Sequence, residues 1–166
     1  DETTDNTTSM APLKESALAG VGAALGFVAL FAASKVLPML PGDVKIMCPP
    51  LGAVAVLLFC LPKAPASSTK AVVLGHLVGG VVAVTVNQLL AKGDPMAPGV
   101  AVALAIFGMK LLDCVHPPAA AYAFFAAVQG FDHPKFVLFP GLLGAVVLVA
   151  VQKVYLQLTE PKAKSS

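Results

Sequence analysis

The sequence predicts an all-α integral membrane bundle, built as a duplicated three-segment unit with four full spans and two short helices, each begun by a Pro-Pro pair. Three observations lead there. Hydrophobic residues make up 57% of the chain, charged residues 12%, and mean hydropathy is +0.84; soluble domains carry about twice that charge fraction. A Pro-Pro pair opens an apolar segment twice, in Cys48-Pro49-Pro50-Leu51-Gly52-Ala53 and in His116-Pro117-Pro118-Ala119-Ala120-Ala121. Finally, the stretch from His76 to Asn87 (HLVGGVVAVTVN) aligns without gaps to the stretch from Gly141 to Gln152 (GLLGAVVLVAVQ).

Taken in order, residues 1–14 are polar and Thr-rich and are expected to form a mobile tail. Ala17–Ser34 is uncharged and long enough to span, with Lys35 snorkelling at its end. Val36–Lys45 holds two prolines, a glycine and an aspartate, a turn composition. From Pro50 to Leu61 the first Pro-Pro segment offers about a dozen helical residues, roughly 18 Å, short of a full crossing. Proline fixes φ and has no N–H, so each pair reads as a helix start rather than a helix interior. Residues 63–70 (KAPASSTK) form a loop, and Ala71–Ala91 is a full span carrying His76, Thr85, Asn87 and Gln88. After the turn KGDP, Pro98–Leu112 makes another apolar helix, the HPP segment runs to about Gln129, and Phe136–Tyr155 is the last span.

The units are about 15–91 and 97–156 of a membrane domain at 15–156, with 157–166 as a C-terminal tail. If the Pro-Pro segments cross, each unit makes three passes and the two copies are inverted; if they re-enter, there are four full spans. Lysine distribution favours six passes with both termini on the more positive face. Gly22-xxx-Gly26 and Gly75-xxx-Gly79 allow close backbone approach, within the bundle or between copies. The start at Asp1, without an apolar basic leader, leads us to expect that any targeting peptide has been removed.

Charge and cysteines exclude several functions. A net charge of +2, with every one of the 11 basic side chains a lysine, gives no footprint for nucleic acid. Cys48, Cys60 and Cys114 lack CxxC spacing, and their odd number argues against a disulfide framework. No nucleophile–base arrangement or phosphate loop appears, so an enzyme is not expected, and no cofactor is implied.

Irregular backbone survives at membrane depth only where it is buried in protein or lines a polar cavity, and Pro-interrupted segments at matching places in two halves point to a transport site. The candidate path is therefore His116, Pro117, Pro118, Ala119 and Ala120, with Lys110 and Asp113 before them and His76, Cys48, Pro49 and Pro50 from the first unit. The helix start after His116 would offer unpaired N–H groups and a positive dipole end to an anion. The plainer alternative is a tight turn with a hydrogen-bonded His cap. Lys110 and Asp113 lie three apart on one face and either neutralise each other or tune His116. A buried His76 bonded to a neighbouring carbonyl is the ordinary reading beside a pathway role. Asn87 and Gln88 read as interfacial. Cys48, His76, Cys114 and His116 could only form a metal site if the fold gathered them, and no spacing demands it.

The run Asp113 to Ala121 (DCVHPPAAA), with Pro49 to Ala53 (PPLGA) and Gly75-His76-Leu77, resembles the HPP family of integral membrane proteins over roughly residues 15–156. That resemblance implies a small membrane protein, usually described with four spans, found in bacteria, cyanobacteria, algae and plants, with some cyanobacterial and plastid members associated with nitrite uptake. The family often shows Arg or Thr-Arg before its Leu-His-Pro-Pro stretch, where this chain has Asp113-Cys114-Val115. The expected function is a transporter or channel for a small nitrite-like anion. The alternative is a structural subunit at the edge of a larger membrane assembly such as a photosynthetic complex. Expected partners are lipid, the anion, and a homo-oligomer or larger complex. A plastid envelope or thylakoid membrane is expected ahead of a bacterial inner membrane.

Overall fold

The computed structural model describes residues 13–36, 46–91 and 93–159; expectations for most of the two tails and for the 37–45 turn fall outside these. The elements are α1 Leu13–Val36, α2 Pro50–Cys60, α3 Thr69–Leu89, α4 Ala97–Leu111, α5 Pro117–Val128, α6 Lys135–Leu138 and α7 Gly141–Thr159. The segments expected to be tails thus lose residues 13 and 14 to α1 and residues 157–159 to α7.

Both Pro-Pro pairs start helices, α2 at Pro50 and α5 at Pro117, as proline's preset φ and missing donor dictate. A 3₁₀ turn over Pro65–Ser67 then leads into α3. There the Ser68 hydroxyl accepts the Ala71 N–H at 3.2 Å, capping the helix, while Ser67 Oγ donates towards the Leu57 and Leu61 carbonyls at the end of α2. Three stretches are long and apolar enough to cross a membrane: Leu13–Val36, Thr69–Leu89 and Lys135–Thr159. α4, expected as a fourth full span, has 15 residues, about 22 Å at the helical rise. The last span is not one continuous helix. Pro140, after a cis Phe139–Pro140 bond, separates α6 from α7.

Contacts fix the helix directions. α5 runs parallel to α3, with His116 against Gly75, Ala119 against Gly79 and Ala126 under Asn87. α2 runs parallel to α7, with Leu51 against Gly144 and Leu58 under Gln152. α1 is antiparallel to α7, since Tyr155 lies by Leu18 and Gly22 while Leu148 lies by Gly26. α4 runs antiparallel to α3, since Gly108 lies by Val78 while Cys114, just past the end of α4, lies by Gly75. The six longer helices therefore alternate in direction, and the two three-helix units are inverted relative to each other.

Each unit also lends its third helix to the other. α1 and α2 pack on α7, while α4 and α5 pack on α3; α3 meets α7, and α2 meets α5, at the centre. Both glycine pairs are used inside the chain. Gly22 and Gly26 admit Phe59, Tyr155 and Leu148, and Gly79 admits the Ala119 carbonyl, which an added Cβ would meet at 2.6 Å. Small residues serve this purpose where lipid supplies no hydrophobic drive and packing must hold the helices together.

Candidate functional site

The polar centre of the bundle lies where α3 and the start of α5 touch. His116 holds the N-cap position of α5 in extended backbone, and its side chain packs onto Gly75, where an added Cβ would stand 2.8 Å from the His116 Cβ. His76 is one residue further along α3. Both imidazoles are fully buried, with ring centroids 5.1 Å apart and planes tilted by 51°.

Each ring is oriented by a backbone carbonyl. His76 Nδ1 lies 2.9 Å from Val72 O, one turn back, and His116 Nδ1 lies 2.7 Å from Ala66 O in the turn before α3. A carbonyl only accepts, so Nδ1 carries the hydrogen in both rings. The two Nε2 atoms are buried with no hydrogen-bond partner. In the neutral rings they are bare lone pairs, two acceptors inside an apolar core.

Tyr122 lies on the same helix as His116 and also neighbours His76. Its ring centroid is 6.1 Å from that of His76, and its buried hydroxyl is shared between the Phe136 carbonyl at 2.6 Å and the Phe139 carbonyl at 2.9 Å. His76 thus neighbours both His116 and Tyr122, and the Tyr122 hydroxyl ends on the Phe136 and Phe139 carbonyls. The sequence reading missed Tyr122. The available signal was a lone tyrosine in a helix of alanines and phenylalanines, one of 2 in the chain.

The helix starts do not offer the donors expected of them. Pro117 and Pro118 have no N–H, and the Ala119 N–H is spent on the His116 carbonyl at 2.9 Å. At α2, Leu51 N–H bonds Cys48 O at 3.1 Å and Gly52 N–H bonds Pro49 O at 3.1 Å. A Pro-Pro start removes two of the free donors of a helix, and the turn consumes the next. Cys48, Pro49 and Pro50 sit at this second start, where the next residue, Leu51, packs on Gly144 of α7.

Lys110 and Asp113 are exposed near the end of α4. Asp113, at φ 48°, directs its carboxylate to Lys70 Nζ at 3.5 Å, so its ion-pair partner comes from α3 and His116 is oriented by Ala66 instead. Among the described residues, no group of three or more His, Cys, Asp or Glu side chains gathers as a metal site, so Cys48 and Cys114 do not join the histidines in one. Asn87, expected at the interface, is half-buried and donates to the Ala126 and Phe131 carbonyls, both at 3.1 Å.

Comparison with known proteins gives one family. Residues 8–164 match the HPP transmembrane region. A transmembrane protein of Dictyostelium discoideum is 26% identical over 116 residues, covering 66% of this chain and 41% of that protein. A second from the same organism is 38% identical over 72 residues, covering 42% of this chain and 23% of that protein. The chain spans less than half the length of these curated relatives. No solved structure matches it.

Proposed function

The chain belongs to the HPP transmembrane family, and from that premise we propose that it carries a small monovalent anion, nitrite-like in size and charge, across the membrane together with a proton. The observation that carries this reading is the buried pair of unpartnered Nε2 atoms on His76 and His116. An anion in a low-dielectric core needs hydrogen-bond donors or positive charge. The Pro-Pro helix starts spend the Ala119, Leu51 and Gly52 N–H groups on their own turns, and the exposed Lys110 stands outside the core. The neutral pair repels an anion with its lone pairs. A proton on one Nε2 converts a lone pair into a donor and adds the missing charge, so anion and proton are taken together.

Inverted units around a central polar site are the architecture of many carriers, with substrate bound where the units meet. Both histidines are fully buried, so loading needs the units to move apart on one side. In this reading the six alternating helices cross the membrane, the shorter α2, α4 and α5 as incomplete crossings held by their neighbours. The membrane is a plastid envelope or thylakoid membrane, or a bacterial inner membrane, and the chain is not an enzyme.

The test is nitrite uptake by the purified protein in proteoliposomes with a pH dye inside. We expect uptake accompanied by internal acidification, with uptake reduced and acidification lost in His116→Gln. Nitrite uptake without acidification removes the proton coupling, and no uptake above empty liposomes removes the carrier. A second reading, a structural subunit of a larger membrane complex, draws support from α1, which buries only Gly22, Gly26 and Leu30 and leaves a broad apolar face for a neighbour. Co-migration with a larger complex on native gels, without flux, would favour it.

A further inference from the structure

The same two nitrogens suit a guest of a different chemical class. A histidine that ligates a metal usually donates its other ring N–H to a carbonyl or carboxylate, which fixes the tautomer and turns the remaining lone pair to the ion. His76 and His116 both have that arrangement, through Val72 O and Ala66 O, and both remaining nitrogens are buried and unpartnered. We propose that His76 and His116 together bind a monovalent closed-shell metal ion of the copper(I) and silver(I) class through their Nε2 atoms.

The spacing of the rings discriminates between guests. An ion about 2.0 Å from each nitrogen stands about 3.1 Å from each ring centroid, so centroids 5.1 Å apart subtend about 110° at it. That angle is near tetrahedral and leaves room for a further ligand. A water or ammonium held at about 2.9 Å from both nitrogens is squeezed to about 80°, well below the angle its hydrogens prefer. Charge selects the monovalent class. The site holds two neutral imidazoles and no carboxylate, so nothing offsets a second positive charge, and the cost of burying an ion rises steeply with its charge. Imidazole nitrogen is a ready ligand for copper.

Cys48, Cys60 and Cys114 are free thiols that would also take such an ion, so the experiment uses the full chain with Cys48→Ala, Cys60→Ser and Cys114→Ala. Purified in detergent, it is titrated with copper(I) under a reductant against a competing chelator. We expect about one copper per chain, with nitrogen ligands and imidazole scattering in the X-ray absorption spectrum. We expect at least a tenfold weaker affinity, on the order of the loss seen at other metal sites, in His76→Gln and in His116→Gln, and no change in Asp113→Asn. X-ray absorption on the unsubstituted chain gives the same reading should the cysteine-free chain fail to fold: imidazole scattering supports the site, and sulfur ligands alone overturn it. Binding unchanged in both histidine variants, or no binding at all, also overturns it. The inference goes beyond the carrier reading and fails separately from it. Copper binding without nitrite uptake removes only the carrier, and uptake without copper binding removes only this site.

Discussion

The Asn87 side-chain amide donates to the carbonyl of Ala126 at 3.1 Å, and the other unit repeats that bond: Gln152 donates to the carbonyl of Leu58 at 3.2 Å. Counted from the Pro-Pro pairs, Leu58 holds in α2 the place that Ala126 holds in α5. Counted along the aligned helices, Gln152 holds the place of Asn87. The same correspondence pairs Gly79 against Ala119 with Gly144 against Leu51. Packing and polar contacts of the two halves are thus related by a pseudo-twofold operation that includes the exchanged third helices.

These amide bonds tie the exchanged helix to its host. Asn87→Leu removes the donor to two carbonyls, Ala126 and Phe131, and should cost about 1–3 kcal/mol. Gln152→Leu should cost a similar amount, and because the two sites share no partner the double variant should be close to additive. Thermal unfolding in detergent, followed by circular dichroism, measures this. An Asn87→Leu protein melting with the wild type would remove the tie from the account.

Close approach at glycine is the second test. A Cβ on Gly79 would meet the Ala119 carbonyl oxygen at 2.6 Å, backbone that cannot swing aside, so Gly79→Ala should destabilise by about 1–3 kcal/mol. Gly144→Ala meets Leu51 and the Ile46 carbonyl and should behave alike. Gly20 and Gly99 face no atom within 4 Å, so alanine there should be neutral or should stabilise through helix propensity, by up to about 1 kcal/mol. Equal melting shifts in Gly79→Ala and Gly99→Ala would refute the packing argument.

Tyr122 should hold the 136–139 segment. Tyr122→Phe keeps the ring but releases the Phe136 and Phe139 carbonyls, which nothing else on α5 reaches. Hydrogen exchange of the amides in 135–139 should accelerate, while amides in α1 keep their protection. Uniform exchange, unchanged by the substitution, would show that the hydroxyl does not anchor this segment.

Much of this was legible in the chain because local rules decided it. The Pro-Pro pairs mark the starts of α2 and α5 since proline allows little else, and the gapless match from His76 to Asn87 disclosed the duplication. What escaped depended on distance in sequence. No spacing rule says that Lys70, rather than Lys110, meets Asp113, or that the Ala66 carbonyl, 50 residues earlier, orients His116. The exchange of α3 and α7 is a tertiary choice that periodicity cannot register. Pro140 was readable as a break, but the apolar run on both sides of it masked the interruption. The expected anion donor at Ala119 failed because its N–H is spent on the His116 carbonyl within the turn itself.

The exposed charges and the buried histidines then separate two explanations of transport. If Lys110 and Asp113 shaped the path, removing either would change flux; their exposure, with Asp113 paired to Lys70, argues that Lys110→Ala and Asp113→Asn leave nitrite uptake and melting temperature unchanged. The histidines should behave differently. Loading requires a proton on the pair, so uptake should rise as the pH on the loading side falls. In His116→Gln the side chain retains a donor but cannot take up the proton, so residual uptake should lose its pH dependence. His76→Gln should do the same, because the proton is shared between the two rings. Initial rates of nitrite uptake at a series of external pH values, with the membrane potential clamped, read this directly. A pH profile that survives in both glutamine variants, or one abolished by Asp113→Asn, would move the proton site away from the histidine pair.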